Sequence, residues 1–115
     1  MDRKEQIRKY KETARPMGVF RVRNCVTGRS LVASSVDLPS MLNRQRFQLE
    51  MGGHADKQLQ ADWNELGPDA FEITILDELE PPEDPAHDSS EDLVMLVEMW
   101  REKLTAADEG DFYGG

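Results

Sequence analysis

Between residues 18 and 23 the chain alternates, with Phe20 and Val22 on one side and Val19, Arg21 and Arg23 on the other. A period of two is the mark of a half-buried strand. Asn24, Thr27 and Gly28 supply turn residues, and Ser30-Leu31-Val32-Ala33-Ser34 reads as the returning strand, so the segment predicts an antiparallel hairpin. The period then changes. Leu38, Met41, Leu42 and Leu49 make the apolar stripe of a helix over 37–50, interrupted by Gln45. Asp37 suits its N-cap, Pro39 falls in the first turn where a missing N–H costs nothing, and Gly52-Gly53 ends it. A second helix over 57–66 carries Leu59 and Trp63 four residues apart and stops at Gly67-Pro68. Alternation returns at 71–76 as a third strand, with Phe71, Ile73 and Ile75 on one face. An acidic, proline-rich loop follows. Leu93, Leu96, Val97, Trp100 and Leu104 then share one face of a helix over 90–105, with Ser89 and Asp92 spaced as a capping box.

The flanks read differently. Residues 2–13 predict a short, highly charged helix with a Glu5–Lys9 pair, stopped by Arg15-Pro16. Residues 106–115 are acidic and glycine-ended, which predicts a disordered tail. The organisation is therefore a charged N-terminal helix over 1–15, a folded domain over 16–105 and a tail over 106–115. The fold class is α/β in the broad sense, an α+β sandwich of a three-stranded antiparallel sheet flanked by helices.

Composition narrows the setting. At 115 residues with 38% hydrophobic positions, the chain is one domain with a modest core. No apolar run approaches the ~20 residues of a membrane-spanning helix, and residues 1–16 lack the apolar stretch of a secretory signal. The single cysteine, Cys25, has no partner for an internal disulfide, so the expected location is cytoplasmic. The net charge of -9 conceals an asymmetry of +7 over residues 1–49 and −16 over 50–115. Two arrangements produce that pattern: a basic nucleic-acid face beside an acidic region, or two halves lying against each other and largely cancelling.

Particular motifs go further. Gly18-Val19-Phe20 opens the first strand and Leu31-Val32-Ala33 lies on the second. Gly52-Gly53-His54 leads through Leu59-Gln60 to Asp62-Trp63-Asn64-Glu65-Leu66-Gly67 and on to Phe71-Glu72. Together with the helix residues 43–50, these resemble the GIY-YIG endonuclease domain, over about half of the chain. The resemblance implies the same sheet-and-helix fold. It also implies a tyrosine, an arginine and a metal-binding glutamate at three catalytic positions, where this chain has Leu31, Met41 and Val97. An apolar side chain passes no proton, offers no guanidinium to a phosphorane-like charge and binds no divalent ion. Phe20, Ala33 and His54 stand at further motif positions. If Leu31, Met41 and Val97 converge, the former cleft has either merged with the core or become an apolar groove. His54 is either a phosphate or proton contact, or a loop hydrogen bond.

Arg21, Arg23, Arg29, Arg44 and Arg46 fall on the hairpin and the first domain helix, elements that flank the nucleic-acid groove in the resembling family. Arginine suits phosphate contacts. The expected function is a catalytically inactive nuclease-like domain that binds DNA or RNA, with no cofactor. Two alternatives stand beside it. One is a protein-interaction module, a homodimer being one form of it, with no nucleic-acid role. The other is a weak endonuclease that would require Mg²⁺ or Mn²⁺.

Overall fold

β1 (Met17–Asn24) and β2 (Ser30–Ser35) form the expected hairpin, and β3 (Phe71–Leu79) pairs with the other edge of β1, in a computed structural model that describes residues 16–84 and 86–114. The strand order is β2-β1-β3, antiparallel throughout. Helices α1 (Leu38–Met51), α2 (Lys57–Leu66) and α3 (Ser90–Ala106) flank the sheet, with a 3-10 turn at Pro68–Ala70 leading into β3. This is the α+β architecture the periodicities predict. The helix expected within 1–15 lies outside the described residues.

Local chemistry sets each boundary. The Asn24 side chain accepts from the N–H groups of Val26 (3.0 Å) and Thr27 (3.2 Å), and Gly28 closes the hairpin turn at φ 82°. Asp37 caps α1 by accepting from the Ser40 N–H at 3.3 Å, and Asp56 caps α2 by accepting from the Leu59 N–H at 3.0 Å. At the start of α3 the expected capping box does not form. Ser89 makes no side-chain cap bond. The Asp88 carboxylate takes both the N–H and the hydroxyl of Ser90, while Asp92 turns to His87. An aspartate is one methylene short of the glutamate that usually reaches back in this motif.

The strands divide the core in two. Phe20 and Val22 face α1 and α2, joining Leu38, Leu49, Leu59, Trp63, Phe71 and Tyr113 in the larger cluster. Trp63 and Phe71 meet there with ring centroids 5.3 Å apart. Val19 and Val32 face α3 and join Leu104, with Leu76, Leu96, Val97, Trp100 and Phe112 at the margin. Leu76 reaches this side by alternation, two residues after Thr74, and an irregularity in β3 then brings Asp77 to the same side: Phe20 pairs with Ile75 but Val19 pairs with Asp77. Beside it β3 comes so close that a Cβ on Gly18 would lie 2.0 Å from the Asp77 carbonyl oxygen. The glycine of the first motif is thus required by strand approach. Asp77 in turn accepts from the Trp100 indole N–H at 3.0 Å, pinning α3 to the sheet.

The disordered tail expected over 106–115 is corrected by the structure. α3 runs to Ala106, Asp108 turns the chain at φ 61°, and residues 107–114 form a strap along the outer edge of β2. Ser30 donates its N–H to the Asp111 carbonyl (2.9 Å) and accepts from the Tyr113 N–H (2.8 Å). Phe112 then falls on the α3 side of the sheet, and Tyr113 on the α1–α2 side at 1% exposure. Burying Tyr113 and half-burying Phe112 outweighs the disorder-prone composition around them, because full burial of one such side chain contributes on the order of 2–3 kcal/mol.

Candidate nucleic-acid interface

The positions that the family resemblance assigns to catalysis do not form one wall. Phe20 lies opposite Ala33 in the hairpin register, and Leu31 opposite Val22. Phe20 is buried, and Leu31, Ala33 and Met41 pack half-buried against the larger cluster. Val97 packs against the smaller cluster, on the other side of the sheet. Alternation along β2 explains the split, since Leu31 and Val32 point to opposite faces. Among the described residues, no group of three His, Cys, Asp or Glu side chains is placed to hold a metal ion.

His54 sits just before α2, buried and bonded at both ring nitrogens. Nδ1 accepts from the Asp56 N–H at 3.0 Å, which leaves the proton on Nε2, where it donates to Gln45 Oε1 at 2.5 Å. The His54 N–H donates to Gln60 Oε1, and the Gln60 amide donates to the Leu49 carbonyl and to Asn64. Burial lowers the His54 pKa below 6.5, against a smaller opposing pull from Asp56. The ring is a neutral connector between α1 and α2, with no nitrogen left for a ligand. Gln45, the residue that interrupts the α1 stripe, points inward to serve it.

The five arginines fall into two groups. Arg21 and Arg23 alternate with Val22 and therefore share the α3 side of β1 with Val19. Arg21, 8% exposed, donates from Nε to Ser30 Oγ at 2.8 Å. Its Nη2 lies 3.6 Å from Glu109 Oε1, and Arg23 Nη2 lies 3.3 Å from the same oxygen. Arg29 pairs with Asp111 at 3.4 Å, and its guanidinium stands 5.0 Å over the Tyr113 ring. All three hairpin arginines thus meet the strap. Here the basic and acidic halves of the sequence do lie against each other.

Arg44 and Arg46 are on α1, across the sheet, and both are exposed. Among the described residues neither has an ion-pair partner. α1 also exposes Phe47 and Met51, while α3 exposes Val94, Met95 and Met99. Beside α3, a shallow groove of about 310 Å³ runs along β2, lined by Val32, Ala33, Ser34, Val94, Val97 and Arg101 among others.

Tyr113 is the residue that sequence reading misses. Its hydroxyl donates to Asp62 Oδ2 at 2.6 Å and accepts from Asn24 Nδ2 at 3.2 Å, tying the hairpin turn to α2. Burial, reinforced by the bond to Asp62, pushes its pKa from 10.0 up to about 12. The adjacent Phe112-Tyr113 pair in an otherwise polar segment is the signal that could have found it.

Two solved structures share this fold. One is the catalytic domain of the homing endonuclease I-TevI, 24% identical, with 84% of this chain and 96% of that chain covered at a TM-score of 0.63. The other is a mutant of the catalytic domain of the intron endonuclease I-TevI, 23% identical, covering 84% and 91% at a TM-score of 0.62. No family model and no curated protein matches the chain. The domain has a GIY-YIG-like nuclease fold.

Proposed function

We propose that this domain, built on the fold of a GIY-YIG endonuclease catalytic domain, binds nucleic acid without cutting it. One observation carries the reading: Leu31, Met41 and Val97 stand where the family resemblance places its chemistry, and they pack into two separate apolar clusters. Activating water, stabilising phosphorane charge and holding a divalent ion all need polar or charged groups at those places. The exposed Arg44 and Arg46 supply phosphate contacts, and the hairpin arginines supply a second cationic group. His54 takes no part, because both of its nitrogens are already hydrogen-bonded within the fold. The exposed Cys25 thiol goes with a reducing, cytoplasmic setting.

The test is fluorescence anisotropy of a labelled DNA duplex, at low and at near-physiological salt. The expected result is micromolar or tighter binding that weakens steeply with salt and leaves the duplex intact in Mg²⁺ or Mn²⁺. Metal-dependent product would overturn the non-cutting half of the reading in favour of a weak endonuclease. Absence of binding at low salt would overturn the nucleic-acid half.

A second reading has its own observation. The groove along β2, with Val94, Met95 and Met99 exposed on α3, fits a protein partner or a second copy of this chain. Sedimentation equilibrium checks the second copy directly, and a monomer at high concentration rules it out.

A further inference from the structure

The hairpin arginines are half-satisfied by the chain itself. Arg21 Nη2 and Arg23 Nε are buried donors without a hydrogen-bond partner. Glu109 stands opposite them, but its one near oxygen, at 3.6 and 3.3 Å from the two Nη2 atoms, is a loose fit for a guanidinium pair. Asp111 is as loosely placed beside Arg29, at 3.4 Å. Buried guanidinium donors left open in this way match an anion with more oxygens than one carboxylate, such as a phosphodiester.

The strap has two parts with different holds. Tyr113 is anchored in the core by Asn24 and Asp62. The turn before it is fixed too, since Glu109 donates its N–H to the Leu104 carbonyl at 2.7 Å and a Cβ on Gly110 would lie 2.6 Å from Thr105 Oγ1. The two carboxylates, by contrast, hang on side chains open to solvent, 34% exposed for Glu109 and 69% for Asp111.

We infer that Glu109 and Asp111 occupy, in cis, a phosphate-binding surface made by Arg21, Arg23 and Arg29, and that a nucleic-acid backbone docks there by displacing these two side chains while Tyr113 stays seated. The inference rests on the nucleic-acid reading above and adds to it a built-in competitor. Affinity is then set by the exchange of two carboxylates for phosphates, not by the arginines alone.

The experiment is duplex DNA anisotropy on the full chain, comparing wild type with E109Q/D111N. Both substitutions keep Phe112 and Tyr113, so the fold is retained, and E109Q alone serves if the double variant melts early. The expected result is about tenfold tighter binding at low salt with a steeper salt dependence. Neutralising two exposed acids away from the strap, E65Q/D69N, changes affinity far less, and adding Arg23→Gln to E109Q/D111N abolishes the gain. Equal binding by wild type and E109Q/D111N overturns the competition and leaves the function reading standing. An equal gain from E65Q/D69N overturns it as well, since net charge would then explain the effect. No binding by any variant overturns both the competition and the nucleic-acid reading.

Discussion

Arg21, Arg23 and Arg29 on the hairpin and Arg44 and Arg46 on α1 are the same residue type in the same basic half of the sequence, yet they meet opposite surroundings. The hairpin group is packed against an acidic strap more than eighty residues away along the chain. The α1 group faces solvent. Charge counting treats the two alike. The structure shows that availability is decided by whichever carboxylates the topology returns to the same edge.

The anchor of the strap gives the largest way to break that contrast. Tyr113→Ala removes a fully buried ring and takes the hydroxyl partner from Asn24 Nδ2 and Asp62 Oδ2, so denaturant unfolding should show a loss of about 3–5 kcal/mol. Hydrogen exchange at Ser30, whose N–H and carbonyl both bond the strap, should rise with it. If stability is unchanged, the strap is not what distinguishes the hairpin arginines.

Alkaline pH loosens the same anchor more gently. The phenol is neutral in the folded domain up to about 12, while in the unfolded chain it ionises near 10.0. Its folded pKa is raised, so the stabilisation is complete below pH 10 and is lost as pH climbs toward 12. The interval corresponds to roughly 3 kcal/mol. Denaturant midpoints measured across that window should fall for the wild type and fall less for Tyr113→Phe.

On α1 the outward arginines are open, whereas the inward polar groups are fully engaged, and His54→Leu tests this. Leaving Gln45 and the Asp56 N–H without their partner should cost about 1–3 kcal/mol. Burial lowers the His54 pKa, so the unfolded chain takes up a proton first as pH falls below 6.5, and wild-type stability should decline there. A variant that keeps the same acid slope would show that His54 is not its source.

The smallest stability effects belong to α1's exposed face. Arg44→Ala and Arg46→Ala should leave thermal stability within about 0.5 kcal/mol. Each should nonetheless reduce the salt slope of DNA binding by about 1. Substitutions that destabilise the fold without changing the slope would reverse the comparison.

Much of the scaffold was legible because its signals are local. Asp37 and Pro39 at the start of α1, Gly52 and Gly67 at the ends of α1 and α2, and the alternation through Phe20 and Val22 act within a few residues. What escaped depends on distant partners. Gln45 looks like a flaw in the α1 stripe until His54 arrives nine residues later. The strap looks disordered by composition, because nothing local reveals that Asn24, 89 residues earlier, holds the tyrosine hydroxyl. The spread of Leu31, Met41 and Val97 over two faces of the sheet was hidden for the same reason. Strand period assigns a side, but only the tertiary fold says which helix covers it.

The anchoring of Tyr113 also bears on the order of events during synthesis. By the time α3 leaves the ribosome, all three strands and both earlier helices have already emerged. The larger cluster still lacks one of its most deeply buried rings, and Asn24 and Asp62 still lack their shared hydroxyl. Local pieces can form early, but the sheet edge at Ser30 closes only when residue 113 has been made and threaded back. Until then the nascent domain exposes an unpaired strand edge, the kind of surface that chaperones shield.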